Sequence, residues 1–110
     1  MGGSVITINS KEEWAQQQSK AKNDNKAVVV DFTATWCGPC KMIGPYYEEL
    51  SGNYPSLVFL KVDVDAVEAV AAECGITAMP TFQVWKNAEK VDELVGASKE
   101  KLKALIEKYQ

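Results

Sequence analysis

The stretch Ala27 to Phe32, Ala-Val-Val-Val-Asp-Phe, constrains this chain more than any other. A run of apolar, mostly β-branched residues with no polar alternation has no face to give to water. It reads as a central strand covered on both sides. One carboxylate, Asp31, interrupts the run, and Cys37-Gly38-Pro39-Cys40 follows soon after it.

The remaining sequence supplies what such a strand needs. Val5 to Ile8 is a short strand signal. Ser10 with Glu13 three residues on has capping-box spacing and opens a polar helix to about Lys20, with a polar connection over 21–26. A helix is expected from about Cys37 to Leu50, kinked by Pro45, which removes a hydrogen bond. Leu57 to Val62 reads as a buried strand, and Val67 to Cys74 as a short helix ended by Gly75. Thr81 to Trp85 and Lys90 to Val95 are strands joined by a turn near Asn87, hence a hairpin. Ser98 opens a last helix to Tyr109, with Leu102, Leu105 and Ile106 on one side.

Strands alternating with helices, then a hairpin, predict an α/β fold with a mixed central sheet of about five strands flanked by about four helices. At 110 residues the expected organisation is a single domain, 1–110. Right-handed crossovers place helices on both faces. The N-terminus of the Cys37 helix then meets the carboxyl end of a central strand, where such sheets hold their sites.

Charge and composition exclude several classes. The net charge is −3 with no dense run of Lys or Arg, so nucleic acid is not an expected partner. No segment approaches the ~18 apolar residues of a membrane span. Met1-Gly2-Gly3-Ser4-Val5-Ile6 lacks the basic start and apolar segment of a signal peptide. Gly2 suggests myristoylation, but Ile6 stands where that pattern wants Ser or Thr. A cytoplasmic location is expected.

Three cysteines and no histidine narrow the chemistry. Zinc needs four ligands, and only Cys74 remains as a third sulfur, so no metal is expected. A disulfide across two residues closes too small a loop to restrain the unfolded chain much. A redox pair fits better. At a helix N-terminus, unpaired N–H groups and the helix dipole favour thiolate, which makes Cys37 an exposed attacking thiol and Cys40 a sheltered resolving one. Gly38 lets a partner chain approach, and Pro39 stiffens the loop.

Asp31 lies on the strand feeding this helix. Buried beneath Cys40, it would have a raised pKa and accept the proton that Cys40 must lose. The bland alternative is a strand-end carboxylate that reaches solvent or caps a turn. Lys61 on the neighbouring strand is a candidate to pair with Asp31 and tune it, or else a solvated charge.

Taken in order, Val-Asp-Phe-Thr-Ala-Thr-Trp-Cys-Gly-Pro-Cys-Lys, Lys-Val-Asp-Val-Asp (61–65), Ala-Met-Pro-Thr-Phe (78–82) and Val-Gly-Ala (95–97) resemble the thioredoxin family over nearly the whole span from Val5 to Tyr109. The wording is similar to the eukaryotic cytosolic branch, especially the h-type proteins of plants and algae. The resemblance implies the thioredoxin fold and a protein-disulfide reductase that binds no cofactor. Its electrons would come from NADPH through a thioredoxin reductase, and its partners would be that reductase and disulfide-containing targets of a monomer. It further implies that Pro80 is cis and faces the cysteines, exposing the Met79 backbone. Trp36, Ala78, Met79, Gly96 and Ala97 would form an apolar surface for extended target segments, with Gly96 needed because a side chain there would crowd the approaching chain.

The rivals are an oxidase or isomerase of a secretory compartment, and a binding module of the same fold without turnover. Three positions depart from the family pattern. Ala88 stands in the hairpin turn where Asn-Gly is common, at a cost of ~1 kcal/mol or a different turn type. Trp85 reads as packing, and Cys74 as a buried thiol or else a site of regulatory oxidation or dimer formation.

Overall fold

Strand β2, Val28–Thr33, is buried at all six positions, and the sheet is built around it. The structure is a computed structural model, described here from Ser4 to Gln110; the reading at Gly2 falls outside those residues. Around β2 lie β1 (Val5–Ile8), β3 (Val58–Asp63), β4 (Thr81–Lys86) and β5 (Glu89–Val95), in the spatial order β1-β3-β2-β4-β5. β1, β3 and β2 run parallel, whereas β4 and β5 are antiparallel to their neighbours. The mixed sheet matches the sequence expectation.

Four helices cover it: α1 (Lys11–Asn23), α2 (Gly38–Asn53), α3 (Glu68–Glu73) and α4 (Lys99–Tyr109). The period-2 alternation of β2 decides which helix each side chain meets. Val28, Val30 and Phe32 pack with Trp14 and Ala21 of α1 and with Val67 and Val70 at α3. Val29 packs with Ile43, Tyr47 and Leu50 of α2 and with Leu102, Leu105 and Ile106 of α4. Asp31 has the parity of Val29 and therefore faces the α2 side.

Element ends moved by one to three residues from the expected ones. α1 continues past Lys20 to Asn23 because Ala21 is buried beneath it, and it stops where Asn25 turns left-handed at φ 55°. Ser10 caps it as expected, its Oγ accepting from the Glu13 N–H at 3.1 Å, while Glu13 Oε1 accepts from the Asn9 N–H. α2 runs three residues beyond Leu50 and stays helical through Pro45.

The hairpin turn is the two-residue kind, with Lys86 paired to Glu89. Asn87 and Ala88 both have positive φ, 55° and 62°, so Ala88 takes the strained conformation and not a different turn. Trp85 packs edge-to-face on Trp14 with ring centres 5.4 Å apart, and Cys74 is a buried free thiol, both as read from sequence.

Candidate functional site

The carboxyl end of β2 delivers the chain to the start of α2, and there Cys37 is the helix N-cap. Its Sγ accepts the Cys40 N–H at 3.2 Å, as a sulfur placed on the unpaired donors of a first turn should. Cys37 and Cys40 are joined by a disulfide with their Cα atoms 5.3 Å apart. The expected contrast in exposure is small in this oxidised form: Cys37 is 6 % exposed and Cys40 4 %. Gly38 and Pro39 form the exposed first positions of α2, and an added Cβ at Gly38 would meet nothing within 4 Å.

Asp31 is 2 % exposed, and its Oδ1 has no hydrogen-bond partner. It lines a cleft of about 700 Å³ with Cys40, Tyr47, Glu48 and Lys61. Burial pushes its pKa up from 3.8 to about 7, and the Lys61 charge pulls weakly the other way. Desolvation wins because no donor reaches the carboxylate. Lys61 sits opposite Asp31 in the β2–β3 register, yet the ion pairs among the described residues are Lys90–Glu93 and Lys108–Asp92. The exposed Lys61 ammonium makes no direct ion pair with Asp31, and its charge acts on the carboxyl across the cleft.

Met79 packs on the cluster of Ala34, Cys37 and Cys40. The Met79–Pro80 peptide bond is cis. The Gly96 N–H donates to the Pro80 carbonyl at 2.9 Å, tying the end of β5 to this turn, and Thr81 Oγ1 donates to the Ala78 carbonyl. Ala78 and Ala97 are exposed. Gly96 has φ 114° and open space around an added Cβ, so within the free chain it is the backbone conformation, not crowding, that demands glycine. Trp36 is 66 % exposed.

Two features escaped the sequence reading. The Trp36 indole N–H donates to Asp65 Oδ2 at 2.8 Å, fixing the ring beside Cys37; the partners are 29 residues apart, and no local pattern links them. Tyr47, seven residues past Cys40 and on the same helix face, donates its hydroxyl toward the Val29 and Leu60 carbonyls at 2.9 and 2.7 Å. No sequence pattern singled it out, and none hints at that clamp.

A disulfide at a helix N-terminus, over a buried carboxyl that ionises near neutrality, defines a dithiol–disulfide oxidoreductase. The family model for thioredoxin matches residues 5–108. The chain is 63% identical to the H-type thioredoxin of Chlamydomonas reinhardtii over 110 residues, covering 99% of this chain and 97% of that one. With the thioredoxin of Mus musculus it shares 54% over 105 residues, covering 96% and 98%. Among solved structures, a poplar wild-type thioredoxin h superimposes with a TM-score of 0.92 at 49% identity, covering 96% of each chain. The chain belongs to the thioredoxin family.

Proposed function

We propose that this thioredoxin works as a protein-disulfide reductase with Cys37 as nucleophile, Cys40 as resolving thiol and Asp31 as proton acceptor. The Cys37 thiolate attacks one sulfur of a target disulfide, and the other target sulfur leaves as thiolate and takes a proton from solvent. Cys40 gives its proton to the Asp31 carboxylate and attacks Cys37 Sγ. The mixed disulfide breaks, the second target sulfur leaves, and two electrons have passed from the Cys37/Cys40 pair to the target. A thioredoxin reductase drawing on NADPH restores the dithiol, and the chain binds no cofactor of its own. The target strand lies along Met79, Pro80 and Gly96, with Trp36, Ala78 and Ala97 as its apolar border. The protein acts as a single-domain monomer in the cytoplasm, with Lys61 tempering Asp31.

The observation that carries this reading is Asp31, an unpartnered buried carboxyl in the same cleft as Cys40, with its pKa at about 7. A group half-ionised near neutrality can both take a proton from Cys40 and return it. The reduction potential tests the direction. Equilibration with defined dithiol–disulfide buffers, followed by tryptophan fluorescence, should give a midpoint near or below roughly −250 mV. A midpoint near roughly −180 mV or above would instead make the protein an oxidant or isomerase. A pair that never responds would leave a binding module.

A further inference from the structure

Among the large apolar side chains exposed on the described residues, Met42 is the most open, at 75 %. It stands one turn of α2 beyond Gly38, about 6 Å along the axis at ~1.5 Å per residue. Four residues further on the same face is Tyr46, half-buried against the α2–α4 core. The Lys99 ammonium lies 5.5 Å from the centre of the Tyr46 ring. Lys99 is the first residue of α4, two positions after Ala97, and is in neither of the ion pairs found among the described residues.

These residues make a strip from Gly38 through Met42 and Tyr46 to Lys99, returning to the border of the redox site at Ala97. A protein docked on Cys37 with a usual ~800 Å² on its side covers a disc of about 16 Å radius. Met42 lies well inside that radius. The strip is apolar in its middle and cationic at its α4 end, with no carboxylate paired to that cation. We infer that it is a specificity surface for disulfide-bearing polypeptides, taking an apolar side chain on Met42 and Tyr46 and an acidic neighbour at Lys99. The inference rests on the reductase reading and says which targets that site prefers.

The test uses two synthetic disulfide-bridged peptides identical except beside the cysteine, one flanked by Leu-Glu-Glu and one by Leu-Lys-Lys. The whole chain is acidic, with net charge −3, so its overall field favours the lysine peptide. A preference for the glutamate peptide must therefore come from local cations. At low ionic strength the wild-type kcat/KM should favour the glutamate peptide by about threefold to fivefold, as one or two exposed charge contacts allow. Lys99→Glu should invert that preference, and Met42→Ala should raise KM for both peptides several-fold with kcat held. Equal turnover of the two peptides, a preference untouched by Lys99→Glu, or a wild-type KM in Met42→Ala would overturn the inference. Wild-type reduction of 2-hydroxyethyl disulfide separates the two readings: if it proceeds while the peptides are not distinguished, only the surface is wrong, and if it fails, the reductase reading falls with it.

Discussion

Asp31 and Lys61 stand opposite each other across the β2–β3 ladder without forming an ion pair. A direct salt bridge would hold Asp31 well below neutrality and leave it a poor acceptor from a thiol. Facing the cleft without a partner, the carboxyl instead takes its pKa from burial, at about 7. Register places the lysine near enough for its charge to lower the carboxyl's pKa, without a direct ion pair.

That arrangement has a cost in stability, and its sign follows from proton counts. Between pH 3.8 and about 7 the folded chain holds the Asp31 proton and the unfolded chain has lost it. Stability therefore falls as pH rises through this window and levels off above it. A difference of about three pH units at ~1.36 kcal/mol each makes the full loss on the order of 4 kcal/mol. Asp31→Asn should match the wild type near pH 4 and be more stable by a few kcal/mol at pH 8. Urea unfolding of both proteins at the two pH values checks it. A constant difference between them would mean that Asp31 does not carry the proton.

The two cysteines should separate by the intermediates they trap. Cys40→Ser leaves Cys37 able to attack and unable to be relieved, so a disulfide-bearing target should remain covalently attached to it. Cys37→Ser should accumulate no such adduct, because Cys40 is buried within the first turn of α2 while Cys37 caps the helix at its open end. Mass spectrometry of each variant after mixing with a disulfide-bonded peptide reads this directly. Equal trapping by both would mean that neither thiol is the preferred nucleophile.

Tyr47 should matter through its hydroxyl. The ring packs against Phe59 and Phe82 at 5.5 and 5.6 Å between centres, contacts that Tyr47→Phe keeps. What the variant loses is the O–H shared between the Val29 and Leu60 carbonyls of adjacent strands. At ~1–2 kcal/mol for a buried hydrogen bond, the denaturant midpoint should fall while the unfolding slope stays constant. An unchanged midpoint would show that the ladder alone satisfies both carbonyls.

How far the sequence revealed this molecule depends on the range of each interaction. The apolar run of β2, the capping box at Ser10 and the cysteine pair are local patterns, and each led to the right element. Where α1 stops was illegible, since burial of Ala21 against the sheet outweighs the weak polar signal around it. That Asp31 faces α2 follows from alternation along β2, but the missing Lys61 pair does not follow from register. The Trp36–Asp65 bond, the Tyr47 clamp and the approach of Lys99 to Tyr46 join residues that only the folded chain brings together. No spacing announces them.

The β4–β5 turn offers a change of stability that should leave the chemistry alone. Ala88 sits at φ 62°, where an L side chain costs ~1–2 kcal/mol. Replacing it with glycine removes that strain but adds ~0.4–1 kcal/mol of freedom to the unfolded chain. The strain is the larger of the two, so Ala88→Gly should stabilise by about 0.5–1 kcal/mol and raise Tm by about 2–5 °C. β4 begins at Thr81 beside the cis Pro80 and ends at Lys86 beside the turn, so at ~3.3 Å per residue the substitution lies about 17 Å along the strand from the site. Disulfide reduction should be unaffected. A fall in Tm would show that Asn87 and Ala88 relax to another turn in solution, and with it that the Lys86–Glu89 register is not the one the chain holds.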